Sequence, residues 1–418
     1  MRQREENGMG RYRDPVVIVG AGPTGLTLAL SLGLAAVPVL LFEAEPALAH
    51  DLRAGSYHPP TLEMLEPLGV TERMHVTGIK VPQWQIRDRV EGVVAEFDLG
   101  LLKDETPYPY RLHLEQHRLT PILLDRIRES APSVEVRFGC AVRRVAEDED
   151  GATVWFTDAA GTLQECRASW LFAADGARSV VRRDLGIAFE GFTWPERFLV
   201  ASTTYDLGRH GITGAGYIAD PEHWAAVFKV PDVGPPGLWR IAYAIPPEAD
   251  EAVELEDANI QAKLFTIFEH VPLGIERFEL KYASVYRVHQ RVAARFVGRR
   301  TMLGGDAAHI NNPLGGMGLN GSIHDAVNIA EKLVRIWHDG ADPAPLLDLY
   351  DRQRRPINIK AVQAMSIRNK RLLEERDPKV RAERLQELRD IAADPARAKA
   401  YLMNTSMINS VREAAAIQ

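Results

Sequence analysis

The sequence predicts an α/β protein: a helix-flanked parallel sheet, an antiparallel sheet inserted into it, and a helical C-terminal stretch. Three observations carry that class. Near the start, the unbroken apolar run Val16-Val17-Ile18-Val19 meets a glycine-rich turn and then an apolar helix, as a strand buried on both faces does. Between 188 and 283 strand-length runs alternate with turns such as Asp220-Pro221-Glu222, which reads as antiparallel. From 345 to 418 the chain is charge-rich and helix-prone, with breaks at Pro356, Pro378 and Pro395.

Taken in order, polar residues 1–13 read as a frayed tail. The first strand ends in Gly20-Ala21-Gly22-Pro23-Thr24-Gly25, which fits G-x-G-x-x-G. Gly20 permits the tight turn, Gly22 lets the backbone approach a pyrophosphate, and Gly25 lets helix and strand pack closely. The pyrophosphate would rest on the N-terminus of the helix that follows. A second strand, Val39 to Phe42, ends at Glu43. An acid there accepts ribose hydroxyls and favours FAD or NAD over NADP as the tight ligand; a glycine-rich packing turn is the plainer alternative.

Further on, Thr61 begins a short helix, and an amphipathic stretch runs from Leu112 to Ile127 with Gln116 inside it. Residues 133–174 read as a meander that includes Val134–Phe138 and Ala152–Phe156 and closes on a strand ending at Asp175-Gly176. Strands are expected at 197–206, 214–219, 223–230 and 237–246, with a helix near 255–270. Tyr217, Trp224, Phe228, Trp239 and Tyr243 either line an apolar pocket or form plain core. Arg240, mid-strand among apolar neighbours, suits a substrate carboxylate or phenolate, or a structural ion pair.

A last strand, Met302-Leu303, runs into Gly304-Gly305-Asp306 and then Pro313-Leu314-Gly315-Gly316-Met317-Gly318-Leu319-Asn320. Glycine at 315, 316 and 318 lets the backbone lie flat against a ligand. The helix beyond offers unpaired N–H groups and a partial positive charge, and Gly340 stops it. An acid ahead of such a loop suits a cofactor with a polyol chain and a ring that turns anionic.

Composition mainly excludes. With 418 residues and a net charge of −7, the chain has scattered basic residues and no basic stripe, so a nucleic-acid partner is not expected. Cys140 and Cys166 form neither a metal spacing nor a disulfide framework, which fits a reducing cytoplasm and no metal site. The apolar stretch Val16 to Phe42 is cut by Gly20, Gly22, Pro23, Gly25 and Pro38, too broken for a membrane span.

Gly20 to Gly25 with Glu43, Asp175-Gly176 through Arg182, and Gly305-Asp306 through Pro313 to Asn320 together resemble the single-component FAD-dependent aromatic hydroxylases, the class typified by p-hydroxybenzoate hydroxylase. The resemblance covers about residues 15–340 and implies a Rossmann-like FAD-binding domain of the glutathione-reductase type over 14–77, 107–184 and 284–344. It implies an interleaved α+β substrate domain over 78–106 and 185–283. Outside the resemblance, the helix-prone stretch 345–418 suits a packing and oligomer-facing tail, in keeping with a homodimer. Asp306 would hold the ribityl chain; the backbone from Leu314 to Asn320, including Gly316, Gly318 and Leu319, would meet the flavin ring; Arg53 and Gln116 would contact the cofactor. Asp175 would serve both FAD and pyridine nucleotide, and Pro313 would lie beside the reactive face.

NADH or NADPH would then reduce the flavin, and molecular oxygen would form a C4a-hydroperoxide that a small aromatic substrate attacks. A phenol must lose its proton, for which His58, Tyr217, His223 and Arg240 are candidates, while His309 and His324 read as structural. Other readings on the same fold are a halogenase, a prenyl-chain reductase or a silent flavin carrier; an NAD dehydrogenase would leave 303–325 without a purpose. The halogenase pattern W-x-W-x-I-P is absent from Trp239 to Pro246.

Overall fold

The structure, a computed structural model, describes residues 12–50 and 55–418. Its centre is a parallel sheet ordered Thr301–Leu303, Trp170–Ala173, Val16–Val19, Val39–Phe42 and Val134–Arg137. Val16–Val19 is buried along its whole length, which is why no residue in it needs to be polar. The helix Pro23–Leu34 packs against the helices Gln116–Ser130 and Met317–His338. A three-stranded meander, Ala141–Glu147, Ala152–Thr157 and Leu163–Ala168, joins the same core. There the rings of Phe42 and Phe156 lie 4.3 Å apart.

Register decides what this sheet presents. Val19 stands opposite both Phe42 and Ala173, and Ala173 stands opposite Leu303. Gly20, Glu43, Ala174 and Gly304 therefore all leave the sheet at one edge, the carboxyl ends of its strands, where ligands of open α/β sheets bind.

The second sheet has eight strands, ordered His309–Ile310, Leu280–Ala293, Phe189–Thr203, Leu238–Ile245, Ala225–Val230, Ala215–Ala219, Gln83–Asp88 and Gly92–Asp98. It is antiparallel except for the pairing of Ala215–Ala219 with Gln83–Asp88. One face carries Leu199, Trp239, Ile241 and Tyr243 against the helix Asp257–Ile267. The other carries Phe198, Val200, Trp224 and Ala226, and meets Leu314 of the glycine loop. The helices Pro378–Ala393 and Pro395–Thr405 cover the strand Gly92–Asp98 and neighbouring segments, which closes an edge that would otherwise template pairing.

Several expectations are corrected. Val134–Arg137 is no part of a meander; it pairs in parallel with Val39–Phe42, a long-range choice that its alternating pattern does not encode. Leu112 lies in a strand, Arg111–His113, paired with Ser56–Tyr57 and Ile79–Val81, and the helix starts only at Gln116. Pro378 and Pro395 start helices instead of breaking them, since the first helical position needs no N–H. Pro356 lies in the last turn of Pro343–Ile357, ahead of a π-helical segment. Of the two readings left open for Trp239 and Tyr243, they take the plain-core one, packing towards a helix and not towards the loop.

A Cβ on Gly25 would sit 1.9 Å from the carbonyl oxygen of Gly20. Gly25→Ala is therefore expected to destabilise the protein by about 1–3 kcal/mol or more, read by urea unfolding without added cofactor.

Candidate functional site

Two helices open at the ligand edge with glycine at the N-cap and no side-chain cap: Pro23–Leu34 after Gly22, and Met317–His338 after Gly316. In the C-terminal region Asp342, Asp377 and Asp394 each cap a helix; at these two openings a glycine stands in that place and offers no side chain to do so. Both openings leave first-turn N–H groups for a ligand. A Cβ built on Gly22 would meet nothing within 4 Å, whereas one on Gly20 would lie 2.4 Å from the carbonyl oxygen of Ala174. Gly20 and Gly25 are thus required by packing, and Gly22 borders open space.

Around that space stand the acids. Glu43 accepts hydrogen bonds from the backbone N–H groups of Ala21 (2.7 Å) and Glu45 (2.9 Å), which fixes its carboxylate beside the first turn. Asp175 accepts from Val180 N–H (2.7 Å) in the first turn of the short helix Val180–Asp184, which Ser179 caps, leaving Asp175 Oδ1 buried without a partner; burial raises the pKa of Asp175. Gly305, at φ +58°, packs so closely on Thr24 that a Cβ would lie 2.5 Å from its Oγ1. Asp306 follows it, exposed. The two glycine motifs, nearly three hundred residues apart, are therefore in contact.

A buried network holds the second motif. Asp325 accepts from His309 Nε2–H (2.7 Å), Gly305 N–H (3.0 Å) and Arg354 Nε–H (2.7 Å). Burial opposes its charge, but His309 and Arg354 bring its pKa down to about 2. Asn320 accepts from His58 N–H (2.8 Å) and Thr61 Oγ1–H (2.6 Å) and donates to the carbonyls of Ser56 and Gly316. Its side chain is thus committed to the protein. Thr61 in turn accepts from His324 Nε2–H (2.8 Å), a ring that burial keeps neutral with a pKa of about 3. His58 Nε2–H donates to the carbonyl of Gly315 (3.0 Å); Nδ1 lacks a partner, and burial holds the ring neutral. Gln290 Oε1 accepts from both nitrogens of Asn312 and from Trp194 Nε1–H, strapping the loop from the sheet side.

Pro313 is exposed between the buried residues Asn312 and Leu314. Tyr217 faces this region: its hydroxyl lies at the Gly315 backbone and the Asn369 side chain, and burial pushes its pKa up to about 12, against the pull of Arg111. Arg240 stands opposite Phe228 and Ser202 on the same face and lies 5.3 Å over the Phe228 ring. His223 lies away from the loop, bonded to Lys263 of the covering helix. Gln116 opens the helix Gln116–Ser130, half-buried; Leu319 is buried and Gly318 abuts Asn311. Arg53 lies outside the described residues. Arg354, Gln290 and Arg111 escaped the sequence reading because no local pattern marks a partner that only folding brings near.

These features suit FAD. Its pyrophosphate would meet Gly22 and the first uncapped helix, its ribityl hydroxyls Asp306, and its ring the N–H groups of the second uncapped helix. Among the described residues no cluster could hold a metal ion, and no helix is long and apolar enough to cross a membrane.

A family model described as FAD binding domain matches residues 13–365. The chain is 34% identical over 402 residues to a para-nitrophenol 4-monooxygenase of Pseudomonas sp. (strain WBC-3), covering 96% of this chain and 97% of that one. It is 32% identical over 368 residues to a 6-hydroxy-3-succinoylpyridine 3-monooxygenase of Pseudomonas putida, covering 87% and 90%. The crystal structure of a p-nitrophenol 4-monooxygenase from Pseudomonas putida DLL-E4 superposes with a TM-score of 0.89 at 32% identity, over 95% of this chain and 98% of that one. An aklavinone-11 hydroxylase solved with FAD and aklavinone gives 0.73 at 27% identity, over 87% and 70%.

Asp325→Ala would leave the buried Arg354 without its anion and is expected to cost about 3–5 kcal/mol, measured by denaturant unfolding. Because the Asp325 pKa is depressed, that stability is present above the ordinary carboxylate range and is lost as pH falls towards 2. The unfolding midpoints of wild type and variant should therefore converge in acid.

Proposed function

This chain belongs to the FAD-binding domain family and is an FAD-dependent aromatic monooxygenase, and we propose that its substrate is a small phenol or hydroxypyridine hydroxylated beside Pro313. Bound FAD, reduced by NADH or NADPH, supplies the oxygen chemistry. The observation that carries the substrate reading is the apolar face of Phe198, Val200, Trp224 and Ala226 closing on Leu314, with the polar side chains of Tyr217 and Arg240 standing among it. Near full-length similarity to an enzyme named for para-nitrophenol supports the same size and class of substrate.

Each of the chain's own residues then has a proposed role. Gly20, Gly22 and Gly25 seat the pyrophosphate, Glu43 takes the adenosine ribose, and Asp306 takes the ribityl chain. Arg53, Gln116 and Asp175 complete the cofactor contacts. The N–H groups from Met317 to Leu319 stabilise negative charge on the ring, while the Gly316 N–H donates to the Pro313 carbonyl and shapes the turn. His58 is neutral and donates to Gly315, so we assign it to positioning the loop. Tyr217 keeps its proton at neutral pH and donates a hydrogen bond to the substrate's ring oxygen. The apolar face excludes water from the reacting centre. The division into 14–77, 107–184 and 284–344 against 78–106 and 185–283, with a tail over 345–418, is part of the same reading. The free thiols Cys140 and Cys166 suit a cytoplasmic location, and a homodimer is checked by light scattering.

Purified protein should carry a yellow flavin and oxidise NADH or NADPH faster with 4-nitrophenol or a hydroxypyridine than without. Flavin-free protein that takes up no FAD would refute the reading. Asp306→Ala should weaken FAD binding by about 1.5–3 kcal/mol, read by fluorescence titration of the apoprotein. Tyr217→Phe should keep FAD and lose about 10- to 100-fold in kcat/KM, the value of one hydrogen bond to a charged oxygen.

A further inference from the structure

Behind the glycine loop lies a cavity of about 10 Å³, lined by Trp84, Arg111, Tyr217, Gly315, Met317, Asn369 and Thr405. That volume is about what one water oxygen needs. Arg111 is 8% exposed, yet among the described residues its side chain forms no ion pair and no hydrogen bond, and its Nε–H is buried without an acceptor. Trp84 Nε1–H, in the same lining, also lacks an acceptor. The guanidinium lies 5.5 Å from the Trp84 ring.

The groups around it do not neutralise it. Tyr217 and Tyr401 are phenols whose pKa burial raises. His58 and His113 are lowered by burial and further by Arg111 itself. No carboxylate lies within 4.0 Å of Arg111 among the described residues. An uncompensated buried cation is costly and is retained where an anion arrives to meet it. The two unpartnered donors, Arg111 Nε–H and Trp84 Nε1–H, point to an anion, and the volume points to a single oxygen atom. Tyr217 borders both this cavity and the apolar face where an aromatic ring would lie, and Gly315 of the lining follows Leu314 of that face.

We propose that the cavity receives the ionised oxygen of the substrate, a phenol acidic enough to be a phenolate near neutral pH, with Arg111 as its counter-ion. The inference rests on the monooxygenase reading and narrows its substrate class. Arg111 selects the anionic form, and the Tyr217 hydroxyl donates to the same oxygen. Ring activation by proton loss is then met by a phenol that arrives already ionised, which removes the need for a strong base at the site.

The probe is 4-nitrophenol, whose phenolate is yellow and whose neutral form is not, titrated with holoprotein across pH without NAD(P)H. Wild type should bind it as phenolate, with the bound ligand's pKa below that of free 4-nitrophenol. In Arg111→Met, of similar volume, that pKa should rise by about one unit or more and phenolate affinity should fall at least tenfold. FAD occupancy and thermal midpoint should hold, and Arg111→Lys should restore part of the shift. Bound neutral phenol in wild type would overturn the proposal without any variant, as would unchanged ionisation and affinity in Arg111→Met. Wild type that oxidises NAD(P)H with phenols but fails the ionisation test sinks this inference alone. Wild type without flavin or activity sinks the functional reading with it.

Discussion

In-register parallel pairing of Val16–Val19 with Val39–Phe42 and Trp170–Ala173 is the constraint on which the rest depends. It aligns strand ends from four distant parts of the chain, so Gly20, Glu43, Asp175 and Gly304 emerge together. A slip of one residue would also turn the side chains of a strand over. The register is held by strands with no polar face to expose, and by Gly20 and Gly25, whose missing side chains let the turn press against Ala174 and the sheet. The cofactor edge is thus a by-product of core packing, and no single residue in it needs to be strained to be in place.

A second layer of control acts on the glycine loop. Flexible backbone is useful there only if it is held, and it is held from three sides: Asn320 and His58 from the short strand Ser56–Tyr57 and its helix, Gln290 from the large sheet, and Asn369 from the C-terminal region. Beneath it, Asp325 ties His309, Gly305 and Arg354 into one buried charge network. Such networks hold only when complete, because a charge left unpaired in a low-dielectric interior has no water to fall back on. Arg111 is the contrast: a buried cation the protein leaves without an anion, beside the place where a substrate would lie.

The large sheet divides its labour by face. Leu199, Trp239 and Tyr243 bury against a helix, while Phe198, Trp224 and Ala226 look towards the loop. Aromatic residues that seem equivalent in sequence therefore differ in role by strand parity alone. The C-terminal helices, which carry no motif, cover the edge strand and supply Asn369, Thr405 and Arg354 to the two polar centres.

By itself the sequence determined the fold class, the packing roles of Gly20 and Gly25, the positions of Glu43 and Asp306 beyond strand ends, and the loop from Pro313 to Asn320. Each is local, because a strand, its turn and the next helix lie consecutively along the chain. Only the tertiary structure decided that Val134–Arg137 joins the parallel sheet, that Leu112 is strand, and that Trp239 and Tyr243 face away from the loop. It also decided that Arg354 neutralises Asp325 and that Arg111 stands without an anion. Charge compensation is a matter of distance in space, and an isolated Arg in sequence looks the same whether or not a carboxylate folds against it.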